Sequence, residues 1–172
     1  WLFDEGGGTA WDYSGHGNHG KLSGARHEAG KFGMSLSFDG VDDIVNCGNA
    51  EILHPKLGTL TAWISPESDD ADEHSAATLP YDDGDEWDYP FRTLGLGVHE
   101  GRPRFSITIF AINWARNSGE LATDDWTHVA ITFDGVNDAQ YVNGELVHND
   151  PNATGFLGHG KPRSTFVIGG RS

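Results

Sequence analysis

Short runs in which apolar and polar residues alternate recur along the chain, and helical periodicity is nearly absent. Alternation is plainest where Phe105, Ile107 and Ile109 interleave with Ser106 and Thr108. A period of two places the two sets on opposite faces of a strand. The pattern predicts strands at 34–38, 43–47, 59–65, 91–98, 104–110, 127–133, 139–142, 145–147 and 165–168. Asn143-Gly144, between Tyr141-Val142 and Glu145-Leu146-Val147, predicts a two-residue hairpin, because both turn positions need positive φ. Many short strands separated by Gly, Asp and Asn predict an all-β fold, a two-sheet antiparallel sandwich or jelly roll.

Length and composition narrow this. A chain of 172 residues suits one domain spanning 1–172. Apolar residues at 37 % are too many for a disordered acidic chain, and nine Phe, six Trp and four Tyr supply core volume. Eleven Lys and Arg against 26 Asp and Glu leave a net charge of −15. Such a chain lacks the basic stripe that neutralises phosphates, so nucleic acid is excluded as a partner. Anionic lipid surfaces repel it too, and apolar runs of five residues or fewer cannot span a membrane as helices. The single cysteine excludes an intrachain disulfide and a Cys₄ or Cys₂His₂ zinc site. Cys47 lies in an apolar strand pattern and reads as a small buried hydrophobe. The chain starts at Trp1 without Met or leader and reads as a segment of a longer protein.

Segment 67–90 stands apart. It carries Glu67, Asp69, Asp70, Asp72, Glu73, Asp82, Asp83, Asp85, Glu86 and Asp88 with no Lys or Arg. It is long for a β connection, and reads either as an acidic insertion carrying function or as a solvated loop. There is also an internal echo. Ser37-Phe38-Asp39-Gly40-Val41-Asp42-Asp43 is similar to Thr132-Phe133-Asp134-Gly135-Val136-Asn137-Asp138, which reads as two like turns in one sandwich.

Several motifs then fall in a familiar order. They are Trp1-Leu2-Phe3-Asp4-Glu5-Gly6, Asp12-Tyr13-Ser14-Gly15-His16-Gly17-Asn18-His19-Gly20, and Gly30-Lys31-Phe32-Gly33 leading to Leu36-Ser37-Phe38-Asp39-Gly40. Leu60-Thr61-Ala62-Trp63-Ile64, Trp126-Thr127-His128-Val129-Ala130-Ile131, Tyr141-Val142-Asn143-Gly144 and Val167-Ile168-Gly169-Gly170 follow. In this order they resemble the laminin-G-like, concanavalin A-like lectin/glucanase superfamily. The resemblance covers nearly the whole chain apart from the acidic segment, and it implies a concanavalin A-like jelly roll at the cell surface or outside the cell. That fold hosts lectins, sugar-binding modules, glycanases and adhesion domains, so it implies no single function. Members usually carry one further strand after the Ile-Gly-Gly stretch, which implies a fragment lacking its last strand or a sheet completed by another segment.

Loops similar to 12–20 bind a structural calcium in this superfamily, often with an Asp from a distant strand end. Calcium takes six to eight oxygens from carboxylates, amides and backbone. The resemblance implies a metal site from Asp12 and Asn18 with Asp39 and Asp134, and Asp4 in reserve. The residues alone equally allow an Asx-turn closed by its own hydrogen bonds. His16 and His19, three apart on a loop, read as hydrogen-bonded rather than as transition-metal ligands.

The aromatic-acidic stretch from Tyr81 to Pro90 suggests sugar chemistry. Exposed rings are costly unless something stacks on them, and pyranose C–H faces do so. Tyr81, Trp87, Tyr89, Arg92 and Trp114 are the carbohydrate-binding candidates, whereas Trp63 and Trp126 are expected in the core. For catalysis, Glu86 and Asp88 begin the superfamily's Glu-x-Asp-x-Glu glycanase pattern, but Pro90 stands where the second Glu belongs. No nucleophile elbow, P-loop or dinucleotide turn is present. Asn152-Ala153-Thr154 fits a glycosylation triplet.

The leading expectation is a non-catalytic, lectin-like carbohydrate-binding module with a structural calcium, part of a larger extracellular protein. A glycoside hydrolase or polysaccharide lyase using Glu86 and Asp88 is the alternative from a second class, and an adhesion domain binding another protein is the third.

Overall fold

The computed structural model describes residues 1–53, 55, 57–67, 74–81, 92–100, 102–109, 112–117, 125–134, 137–150 and 165–170. These form β1 (Thr9–Ala10), β2 (Gly20–Ser23), β3 (Arg26–Ala29), β4 (Met34–Ser37), β5 (Ile44–Asn46), a 3₁₀ turn at Glu51–Leu53 and β6 (Gly58–Ile64). They continue as β7 (His74–Tyr81), β8 (Arg92–His99), β9 (Arg102–Ile109), β10 (Ile112–Asn117), β11 (Thr127–Phe133), β12 (Asp138–Val142), β13 (Glu145–Asp150) and β14 (Val167–Gly169).

The strands make a larger sheet ordered β1-β2-β5-β14-β7-β8-β9-β10 and a smaller one ordered β13-β12-β11-β6, with β3-β4 as a separate hairpin. Every described pairing is antiparallel. This is the all-β, antiparallel sandwich that the alternation predicts.

The core lies between the two sheets. Ala10, Val45, Ala77, Leu96 and Phe105 come from the larger sheet, and Val129, Ile131 and Phe133 come from β11. Phe166, just before β14, closes the cluster. Cys47 belongs to it as expected, and burial pushes its thiol up to about 12. The Asn143-Gly144 hairpin also forms as expected. Both residues take positive φ, 50° and 83°, and Val142 pairs with Glu145 across the turn.

Three elements depart from the sequence expectation. The segment 67–90, expected as an insertion, contributes β7, which pairs with β8 and β14 inside the larger sheet. Its Ser-Ala-Ala-Thr-Leu-Pro run has little alternation of large apolar residues, and Pro80 argues against a strand. β10, which the alternation does not predict, pairs antiparallel with β9. The third is Trp63, which its apolar strand context predicts in the core. In β6 it falls on the same face as Thr59 and Thr61, and it is 40 % exposed. Trp126 is half-buried at the entry to β11.

Candidate functional site

The face of the smaller sheet turned away from the core carries Thr59, Thr61 and Trp63 from β6, and His128 beside them on β11. Register pairs Trp63 with His128, and Thr61 with Ala130, which pairs onward with Tyr141. The His128 ring lies 5.2 Å from that of Trp63. Its Nε2 is 2.7 Å from the Thr61 hydroxyl, and that hydroxyl donates to the Val129 carbonyl at 3.1 Å. With Nε2 engaged by the Thr61 hydroxyl, Nδ1 is the ring nitrogen that makes no hydrogen bond among the described residues.

A second element reaches this face. The turn between β3 and β4 is held by Gly30 N–H donating to the Gly33 carbonyl at 2.9 Å, with Gly33 at φ 63°. Asp4 anchors it, accepting from the Met34 amide at 2.8 Å. The turn presents Lys31 and Phe32. Phe32, 73 % exposed, meets Trp63 edge to face, with centroids 5.7 Å apart and planes at 78°. The Lys31 ammonium stands over the Trp63 ring, 5.5 Å from its centroid.

The expected metal residues sort into three separate turns. Asp12 Oδ1 accepts from Ser14 N–H at 2.8 Å and Oδ2 from Asn18 N–H at 2.9 Å. The hydrogen bonds from Ser14, then that from Asn18, hold the Asp12 carboxyl down at about 2. Asn18 also offers its carbonyl to Trp1 Nε1 at 2.9 Å. Asp134 accepts from the backbone and side-chain amides of Asn137 at 2.7 and 2.8 Å. Asp39 accepts from Val41 N–H at 2.8 Å, and this bond leads in lowering its pKa. Asp4, the reserve ligand, holds the β3–β4 turn.

Only the Asp39 turn gathers acids: among the described residues, Asp39, Asp42 and Asp43 each place a carboxylate oxygen within 4.8 Å of the others. Asp43 is buried and accepts the Asp39 amide at 2.9 Å. A pocket of about 250 Å³ beside it is lined by Gly24, Arg26, Ser37, Asp39 and Asp43. Three carboxylates of this kind are hard oxygen donors suited to calcium.

Of the carbohydrate-binding candidates, register places Tyr81 across from Arg92, and Trp114 on outermost β10 across from Ile107. Trp87 and Tyr89, with the catalytic candidates Glu86 and Asp88, lie outside the described residues. So do Asn152-Ala153-Thr154 and the stretch after Gly170.

A family model of the concanavalin A-like lectin/glucanases superfamily matches residues 39–172. The chain belongs to this superfamily. Within the superfamily fold it is similar to the CBM40 of Ruminococcus gnavus IT-sialidase, solved bound to α2,3-sialyllactose. Identity there is 14 %, TM-score 0.54, and the match covers 69 % of this chain and 66 % of that one. It is similar to domain 4 of AbnA, a GH43 extracellular arabinanase from Geobacillus stearothermophilus, solved with arabinotriose: 15 % identity, TM-score 0.60, 85 % and 66 % covered. An S-layer domain-containing protein from Clostridium thermocellum is 27 % identical, with TM-score 0.52 and 90 % and 72 % covered. The chain thus spans about two-thirds of the first two. A comparison with the curated proteins gives no match.

Proposed function

We propose that this chain is a non-catalytic carbohydrate-binding module of a larger cell-surface or secreted protein. The observation that carries the reading is membership of the concanavalin A-like superfamily over residues 39–172. Two modules of the same fold, solved with sialyllactose and arabinotriose, support it. The extracellular placement is supported by the likeness to a protein that carries an S-layer domain. In this reading Tyr81, Arg92 and Trp114, with Trp87 and Tyr89, offer rings and a charge to sugar.

Calcium in this reading sits at Asp39, Asp42 and Asp43 and braces the turn between β4 and β5. It would supply charge compensation and stability, with no chemical step. A glycan array read with calcium and with chelator tests the reading. Binding to at least one glycan class is expected, and a broad array without any binding overturns it. For the metal, a rise in melting temperature on adding calcium, lost in Asp42→Asn, is expected. A melting curve indifferent to calcium removes the site.

A further inference from the structure

The glycan reading leaves the kind of sugar open, and the outer face around Trp63 bears on it. In β6 the alternation spends exposed positions on Thr59, Thr61 and Trp63. A large ring that is 40 % exposed among threonines forfeits part of the free energy of burial. Phe32 does the same from a different element, and the two rings meet at 78° to form a corner. Such a corner offers an apolar wall to a pyranose C–H face. Around it stand groups that read hydroxyls, above all His128 Nδ1, the ring nitrogen left available by the contact of Nε2 with Thr61.

Charge then selects among sugars. The chain carries 26 acids and only 11 Lys and Arg, so its field repels anions broadly. Yet Lys31 pairs with no carboxylate of the described residues, and its contact is the Trp63 ring. An unpaired ammonium held against a stacking surface is complementary to a ring bearing its own carboxylate. A neutral sugar would leave that charge unused.

We propose that the Trp63–Phe32 corner with Lys31 and His128 binds a carboxylate-bearing pyranose. This rests on the reading as a carbohydrate-binding module. The ring stacks on the aromatic corner, its carboxylate faces Lys31, and a hydroxyl hydrogen-bonds His128 Nδ1. Uronic acids and sialic acids share this chemistry.

The test is calorimetric titration of the 172-residue chain with three probes: tetragalacturonate, sialyllactose and neutral xylotetraose. One acidic probe is expected to bind in preference to the neutral one, and which of the two it is identifies the source. Trp63→Ala should weaken that binding about tenfold or more, while Trp63→Phe keeps most of it. Lys31→Gln should weaken it about fivefold and flatten its salt dependence. Unchanged melting curves confirm that the variants fold. Acidic binding that survives Trp63→Ala overturns the site, as does equal binding of xylotetraose with no effect of Lys31→Gln, and both leave the module reading standing. If the wild type binds neither these probes nor any glycan of the array, the module reading fails and the site with it.

Discussion

Asp12 shows how a single carboxylate can close a loop. Both its oxygens accept backbone amides, from Ser14 and Asn18, and they tie a loop whose Gly15 and Gly17 take positive φ. Its pKa falls from 3.8 to about 2, so its contribution to stability is fully present above pH 3.8 and is lost as pH falls through 2. Melting temperatures of wild type and Asp12→Asn should therefore differ by a constant amount above pH 4 and converge toward pH 2. A difference that persists unchanged at pH 2 would contradict this assignment. Cys47 gives a second check at this scale. With its thiol held at about 12 and buried, it should resist a thiol reagent at pH 8 until denaturant is added.

At the scale of elements, close packing between strands fixes which residues are tolerated. A Cβ built on Gly20 would press into Val45 Cγ1 and meet Cys47 Sγ at 3.1 Å, where β2 lies paired with β5. Gly20→Ala should cost about 1–3 kcal/mol by overpacking, measured by denaturant unfolding. A neutral result would mean that β5 can shift away. Asn143 has a different role: its amide donates to the His128 carbonyl, and its side-chain oxygen accepts the His128 amide. Asn143→Ala should therefore destabilise by about 1–2 kcal/mol, through the lost hydrogen bond and the cost of positive φ without Asn.

Such particulars show what the sequence makes legible. Strand 127–133 and the Asn143-Gly144 turn are written in local chemistry, as alternation and as a positive-φ pair. β7 is not, because its place between β8 and β14 is decided by long-range pairing rather than by large apolar residues. Trp63 is legible by parity and misleading by size. Its parity with Thr59 and Thr61 marks the outer face, while its size suggests the core. The meeting of Phe32 and Lys31 with Trp63 was illegible, because only tertiary structure joins the β3–β4 turn to β6. The same holds for the acidic cluster, where adjacent Asp42 and Asp43 join Asp39 only because the turn folds back.

At the scale of the molecule, charge and topology govern. A net charge of −15 on 172 residues stores repulsion that salt relieves. Raising NaCl from about 0.02 to about 0.5 M should raise the melting temperature, and a fall would mean that attractive pairs outweigh the repulsion. The same field makes weak, salt-sensitive attraction to calcium a general property of the surface, so the calcium test needs magnesium at equal ionic strength as its control.

The position of β14 has a consequence for how the molecule comes into being. Ile168 aligns with Val45 on one side and Ala77 on the other, so three residues late in the chain form the seam between two blocks of strands made earlier. Until that seam is sewn, β5 and β7 expose their facing edges, and unpaired edges invite the wrong neighbours. Continuity of the larger sheet thus hangs on residues 167–169: among the described pairings, they alone join β1-β2-β5 to β7-β8-β9-β10.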